Sequence, residues 1–278
     1  MKSPLRKRLP RELKSEFGKY LVVFIMMAIT IGFVSGFLVA DGSMLRAYDD
    51  SFQKYNIEDG YFQTKKKLTP AQKEDIEKSD VKVYENFYIE QKLTNGSTIR
   101  FFKNRKEVDK VCLMNGKMPK KSGEIAVDRM YADNNELKVG DTVKSRKKTF
   151  RITGLVALSD YSALFQNNND TMFDAVKFGV AIVTDKDFEA LNQVKVQYNY
   201  AWIYDKKPAT EKKEKKMAED LMEDMADVVT IESFVPQYQN QSIHFTGDDM
   251  GSDRAMIVML LYIVMAILAF VFGITISN

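Results

Sequence analysis

The sequence is poor in the side chains that most catalytic and metal sites use. Its 278 residues include one histidine, His244, one cysteine, Cys112, and one tryptophan. A single cysteine cannot form an internal disulfide, and no His/Cys cluster has the spacing of a zinc site. No nucleophile stands in a recognisable catalytic motif, and no GxxxxGK[ST] loop is present to cradle ATP phosphates. We therefore predict no enzyme activity for this chain, and no catalytic, cofactor or metal site.

Cys112 and His244 both have simple structural interpretations. Cys112 lies between Val111 and Leu113, and these apolar neighbours favour a small buried side chain over a reactive thiol. His244 has no partner for metal binding nearby in the sequence, so we expect it to be a surface residue.

Positive charge is concentrated at the N-terminal end of the chain. Residues 1–19 carry seven basic and two acidic side chains, a net charge of +5 within a total of +3. The rest of the chain therefore sums to −2. It has no basic excess with which to neutralise phosphates, which argues against nucleic acid as a partner.

Two long runs without a charged residue predict membrane-spanning helices. Residues 20–40 and 255–276 form runs of 21 and 22 residues, and about 20 apolar residues cross a hydrocarbon core roughly 30 Å thick. A secretory signal peptide is the alternative for the first run. Its apolar part exceeds the usual signal core of about 7 to 15 residues, while small residues near its end leave cleavage open. Inside this run, Gly32 and Gly36 form a GxxxG pattern that favours close packing with another helix.

The charges that flank the first run predict the orientation, because positive charge is retained on the cytoplasmic side. The predicted segments are a cytoplasmic basic segment at 1–19, a first span at 20–40, an extracytoplasmic domain at 41–254, a second span at 255–276 and the start of a cytoplasmic segment at 277–278. Leu9, Leu13 and Phe17 recur every fourth residue, which is typical of an amphipathic helix on the inner membrane surface. A frayed basic anchor is the alternative. The chain is thus predicted to lie in the plasma membrane, with the lipid bilayer as its surroundings.

The residues between the two spans alternate between helix and strand signals. Thr69 and Pro70 mark a helix start. Residues 81–93 alternate as one strand, and Asn95-Gly96 supplies the turn of a hairpin. Further segments predict a strand at 147–158 broken at Gly154, strands at 176–184, 196–205 and 228–234, and a charged helix at 210–227. This mixed order predicts an α+β fold for the extracytoplasmic domain, flanked by the two transmembrane helices.

The first link between membrane and domain, residues 41–58, also carries a helical pattern. Met44, Tyr48 and Phe52 recur at every fourth position, so we expect the first helix to continue beyond the span as a stiff lever with an apolar side.

A candidate recognition loop lies in the segment SDYSALFQNNNDTMFDAVKFG, residues 159–179. Aromatic and apolar side chains flank a run of three asparagines there, and such a loop suits ligand recognition. The candidate residues are Tyr161, Leu164, Phe165, Asn167, Asn168, Asn169, Met172 and Phe173. The alternative is a loop packed on its own domain.

One segment carries a family resemblance. NGKMPKKSGEIAVDRMYADNNELKVGDTVK, residues 115–144, contains a glycine-basic-x-proline turn, a Gly-Glu-Ile strand, a short helix and a Leu-Lys-Val-Gly-Asp turn into the next strand. Gly116, Gly123 and Gly140 serve its turns, and Pro119 stiffens one of them. This pattern, together with a basic N-terminus and an outer domain between two spans, resembles the N-terminal portion of a MacB/FtsX-type ABC transporter permease, with its extracytoplasmic MacB-like core domain.

The resemblance implies a mechanical function without chemistry in this chain. A separate ABC ATPase subunit would hydrolyse ATP, and the spans would pass the motion to the outer domain for export or extraction of a substrate. A second permease copy or half is a further partner that the family implies. Two rivals remain open: a two-span membrane sensor with an outer ligand-binding domain, and a membrane-anchored enzyme, for which the sequence shows no catalytic cluster.

Overall fold

The computed structural model describes residues 14–145, 148–191 and 196–277. The predicted amphipathic segment falls largely on residues 1–13, outside the described residues. The chain divides into two compact units, a helix unit of residues 1–48 with 248–278 and a folded domain of residues 49–247.

Six helices and eleven strands account for the regular structure of the described residues. In chain order they are α1 (Phe17–Tyr55), β1 (Gly60–Thr64), α2 (Pro70–Glu77), β2 (Val81–Glu85), β3 (Tyr88–Lys92), β4 (Thr98–Phe102), β5 (Val111–Gly116), β6 (Glu124–Asp128), α3 (Arg129–Asn134), β7 (Thr142–Lys144), β8 (Thr149–Leu158), β9 (Phe178–Val183), α4 (Asp185–Leu191), β10 (Tyr198–Tyr204), α5 (Glu211–Ala226), β11 (Ile231–Pro236) and α6 (Gln241–Ser277). A short 3₁₀ turn, Gln237–Gln239, joins β11 to α6. The fold is α+β, as predicted.

The two long helices have the length and composition of membrane spans. Each contains an 18-residue window of mean hydropathy 2.5, and no residue of either window is buried in the described part of the chain. Helix α1 continues to Tyr55, as the spacing of Met44, Tyr48 and Phe52 predicted. Within the helix unit, the Nε of Arg254 on α6 lies 3.9 Å from the Oδ2 of Asp41 on α1. The boundaries 20–40 and 255–276 stay predictions, because no membrane defines them.

A small antiparallel sheet has the strand order β11-β1-β10-β2. Its strands alternate, so that one face carries Phe62, Tyr200 and Trp202, each at most 1% exposed. Helices α2 and α5 contribute Ile76, Leu221 and Met225 to the same core. Thr69 caps α2 as predicted, because its side chain and that of Gln72 form a reciprocal capping box at the first turn.

A larger mixed sheet has the order β3-β4-β9-β6-β8-β5, and β7 pairs with β8. Its central strand β9 is buried at every residue, which suits a strand covered on both faces. The predicted hairpin is confirmed: β3 and β4 pair antiparallel, and Gly96 takes a φ of +89° in the turn, a conformation that glycine adopts without steric cost.

Two sequence predictions about strands are corrected. Residues 81–93 form two strands instead of one, because the chain leaves the small sheet after Glu85 and enters the large sheet at Tyr88. Between them the backbone N–H of buried Asn86 donates to the Asn199 carbonyl. Strand β8 also runs through Gly154 without a break; the irregularity there is a register shift against β6.

Candidate functional site

A cavity of about 380 Å³ lies in the folded domain and is lined by residues of both sheets. We call it the cleft. Its lining comes from Glu58 and β1, from β3 and β4, from the loop at 160–169, from β10 and β11, and from residues 239–242 at the start of α6. Segments that are distant in sequence therefore meet at one place.

The small sheet supplies one wall of the cleft through its second face. Gln63 lies opposite both Asn199 and Ser233 in the strand register, so the three side chains share a face. The Gln63 amide donates to the Asn199 Oδ1 and to the Tyr88 hydroxyl, both at 3.2 Å. These bonds join the small sheet to the edge strand of the large one.

Arg100 on β4 organises the opposite wall. Its guanidinium donates to the Glu90 carboxylate and to the Gln166 carbonyl at 2.8 Å, and it also donates to the Tyr161 hydroxyl. The same group lies 4.1 Å from the centre of the Tyr88 ring, a cation–π contact. Burial raises the pKa of the Tyr161 hydroxyl far above its usual value, so this phenol stays protonated at physiological pH.

A buried ion pair holds the start of the loop. Arg105 donates to both carboxylate oxygens of Asp160 at 2.7 Å, the bidentate geometry that makes such pairs strong. Both side chains are 6% exposed. The same guanidinium lies 3.9 Å from Asp109 and over the Phe102 ring.

Beside this pair lies a second set of buried carboxyls. Asp109 accepts from the backbone N–H of Glu58 at 2.9 Å and from the Asn86 amide at 3.2 Å. Burial and the charge of Asp160 raise the pKa of Asp109 to about 7. Burial, with the charges of Asp109 and Asp160, raises the pKa of Glu58 well above its usual range. Burial within this set therefore favours the protonated, neutral form of these carboxyls.

The loop is hydrogen-bonded to the first turn of α6. The Ser162 hydroxyl lies 2.8 Å and 2.7 Å from the carbonyls of Ser242 and Ile243, and the Thr246 hydroxyl donates to the Ser162 carbonyl at 3.1 Å. Further along the loop, the Asn168 side chain donates to the Gln239 carbonyl and accepts from the backbone N–H of Gln241, both at 2.9 Å. Side-chain hydrogen bonds therefore connect the loop to the start of α6 at two places along the loop.

The eight residues of the candidate recognition loop divide into two groups. Those that line the cleft are Tyr161, Phe165, Asn167, Asn168 and Asn169. The other three are placed elsewhere: Leu164 is fully buried in the core, Met172 is 81% exposed, and Phe173 packs edge-on against Phe165 and Phe245. A recognition role for the loop stays a prediction.

Gly32 and Gly36 lie exposed on α1, and a Cβ at either position would meet no atom of the described residues within 4 Å. The face is thus open for another helix, and its packing role stays a prediction. Cys112 is half-buried, not buried as expected, because β5 lies at the end of the large sheet. His244 is half-buried beside Phe52, with ring centres 6.4 Å apart.

Sequence patterns missed the residues that build the cleft walls. Glu58, Arg100, Asn199 and Ser233 stand singly on different strands or links, with no local cluster to mark them. The one available signal was polarity on an otherwise apolar strand, such as Arg100 within the segment TIRFF.

No protein-family model and no curated protein matches the chain. Solved structures with similarity include the extracellular domain of YknZ, a noncanonic ABC-type transporter from Gram-positive bacteria, at 12% identity over 63% of this chain and 98% of that one. Another is the periplasmic region of MacB from Actinobacillus actinomycetemcomitans, at 13% identity over 63% of this chain and 87% of that one. Both have a TM-score of 0.32. Similarity this low assigns no function.

Proposed function

We propose that the chain is the N-terminal portion of an ABC transporter permease that transmits ATP-driven motion to an extracytoplasmic domain. A separate ATPase subunit supplies the energy, and the two apolar helices cross the plasma membrane. The domain then moves a substrate for export or extraction. This chain performs no chemistry in that scheme.

The observation that carries the proposal is the attachment of the cleft loop to the first turn of α6. Ser162 and Thr246 join the loop to this turn, and the turn leads into a helix of membrane-spanning length and composition. A movement of α6 would therefore reach the cleft through a few short hydrogen bonds. A membrane anchor alone would not require such a connection.

The link after α1 is tied to the link before α6. The Asn240 amide donates to the Glu58 carboxyl at 3.4 Å, and the backbone N–H of Gln237 donates to the Asp59 carbonyl at 2.8 Å. The two links therefore meet where each joins the folded domain. This arrangement supports joint transmission by both helices.

The first test replaces Ser162 by Ala together with Thr246→Val in the full-length permease with its ATPase. We expect ATP hydrolysis to persist while transport per ATP falls several-fold, because the loop loses the bonds that the Ser162 and Thr246 side chains make between it and α6. Ser159→Ala is the matched control, since that serine lies in the same segment but bonds the Lys110 carbonyl.

A second variant tests the lever of α1. A flexible Gly-Ser segment inserted after Asp50 should leave the domain folded and uncouple transport from ATP hydrolysis, because a soft linker transmits little force. Unchanged transport per ATP in both variants would contradict the proposal. It would favour the sensor alternative, in which the domain binds a ligand without doing work.

A further inference from the structure

The charged side chains that line the cleft are already neutralised within the protein. Arg100 is paired with Glu90, and Asp160 is paired with Arg105. Glu58 is 2% exposed, and burial raises its pKa well above the usual range, which favours the neutral form of its carboxyl. An ionic ligand would find no free opposite charge on these residues, which disfavours phosphates and organic cations alike.

The cleft also offers little apolar surface. Its aromatic rings are largely covered: Phe102 and Phe165 are each 2% exposed, and Tyr88 is 7% exposed. Sites for lipids and drug-like molecules are lined predominantly by exposed hydrophobic and aromatic side chains. An apolar, lipid-like ligand would therefore fit the cleft poorly.

Hydrogen-bonding groups without a partner remain on three different segments. The Tyr61 hydroxyl on β1, the Ser233 hydroxyl on β11 and the Asn169 amide in the loop line the cleft and bond no other described residue through their side chains. Burial raises the pKa of Tyr61, so its hydroxyl stays a donor as well as an acceptor. Each of these side chains can both donate and accept.

The strand backbones of the walls are mostly occupied. Strand β1 pairs with β10 and β11, β10 also pairs with β2, and β4 pairs with β3 and β9. Strand addition by an extended peptide needs an open edge with free backbone groups, and these three strands offer none. Strands β3 and β11 also line the cleft and are the edge strands of their sheets, so a peptide probe belongs in the test. On the interior strands the groups open to a ligand are side-chain hydroxyls and amides.

We propose that the cleft binds an uncharged polyhydroxylated ligand, a sugar or short neutral oligosaccharide, through Tyr61, Ser233 and Asn169. Sugar hydroxyls donate and accept at the same atom, as these three side chains do. The cavity of about 380 Å³ falls in the range of about 300 to 1,000 Å³ that small-molecule sites occupy. The inference is independent of transport, since a sensor would use the same site.

The test measures binding to the full chain in lipid nanodiscs, because detergents with sugar head groups would compete. The probes are neutral trisaccharides of glucose, galactose and N-acetylglucosamine, titrated calorimetrically up to millimolar concentration. A blocked Ala-Gly peptide and inorganic phosphate serve as comparison probes. We expect at least one trisaccharide to bind, and neither comparison probe.

Single-group variants locate the site. Tyr61→Phe and Ser233→Ala should each weaken trisaccharide binding about 2- to 10-fold, the value of one net hydrogen bond. Tyr84→Phe is the matched control, because Tyr84 shares the sheet face of Tyr61 through Ala201 but lies outside the cleft; its affinity should not change. Absence of trisaccharide binding, binding that neither variant weakens, or Tyr61-dependent binding of the peptide or phosphate would each overturn the proposal.

Discussion

At the scale of single residues, the buried carboxyls beside the cleft make stability depend on pH. Asp109 has its pKa raised to about 7, and Glu58 has its pKa raised well above the usual range, in both cases mainly by burial. At these two groups the folded state therefore binds more protons than the unfolded state. By linkage the free energy of unfolding decreases as pH rises from the ordinary carboxyl pKa towards the raised values.

Glu58→Gln should reduce this dependence. The amide keeps the shape and neutrality of the protonated carboxyl, so the variant avoids ionising a buried group. We expect its free energy of unfolding at pH 8 to exceed that of the parent, because the parent carboxyl resists ionisation in the folded state. The difference should be smaller at pH 5.

Urea titration followed by near-ultraviolet circular dichroism would measure both values. Glu74→Gln, at an exposed position of α2, is the control and should change neither. A Glu58→Gln variant that is less stable than the parent at pH 8 would show that the carboxylate, not the acid, is the native form.

At the scale of elements, two glycines of the 115–144 motif allow two costs of an added side chain to be compared: backbone strain alone, and backbone strain together with a steric clash. Gly116 and Gly123 have φ values of +74° and +89°, which L residues adopt at a cost of roughly 1–2 kcal/mol. A Cβ at Gly116 would also lie 2.3 Å from the Thr153 carbonyl oxygen, whereas one at Gly123 meets no described atom within 4 Å.

Gly123→Ala should therefore cost only the conformational term, and Gly116→Ala should cost clearly more, above about 2 kcal/mol. Thermal or urea unfolding of the two variants side by side gives the comparison. Equal losses would mean that β5 and β8 shift apart to make room at Gly116.

Local signals predicted individual elements well and their assembly poorly. The cap at Thr69, the turn at Asn95-Gly96 and the motif glycines were readable because each depends on residues adjacent in sequence. The division of residues 81–93 between two sheets could not be predicted, because the alternation of apolar and polar residues is the same in either sheet. Only the long-range bonds of Asn86 show where the chain crosses.

The candidate site shows the same limit. The asparagine run was noticeable as a cluster, and all three of its residues line the cleft. Arg105 pairs with Asp160, which lies 55 positions further along the chain. No local sequence pattern predicts a contact over that separation. The sequence did not show which apolar residues of the loop belong to the core. Leu164 is fully buried and Met172 is 81% exposed, and this difference arises only when the domain packs.

At the scale of the whole molecule, the charge asymmetry predicts the orientation in the membrane. A reporter fused after Asn278 should be cytoplasmic, and one inserted near Asn168 should be external, because the basic N-terminal residues stay inside. Protease protection or a paired alkaline phosphatase and green fluorescent protein assay reads each location. A cytoplasmic reporter at Asn168 would contradict the prediction of an extracytoplasmic domain. An external reporter at Asn278 would contradict the prediction that the second helix crosses the membrane.

Trp202 gives the cleft an optical reporter that needs no label. It is the sole tryptophan of the sequence, fully buried, and its indole stacks on Phe234 with ring centres 4.7 Å apart. Phe234 belongs to the strand that carries Ser233 into the cleft. Tryptophan emission, excited where tyrosine hardly absorbs, therefore arises at one position on β10, a strand that also lines the cavity through Asn199. A change in its wavelength or quenching would follow rearrangement of that wall in real time.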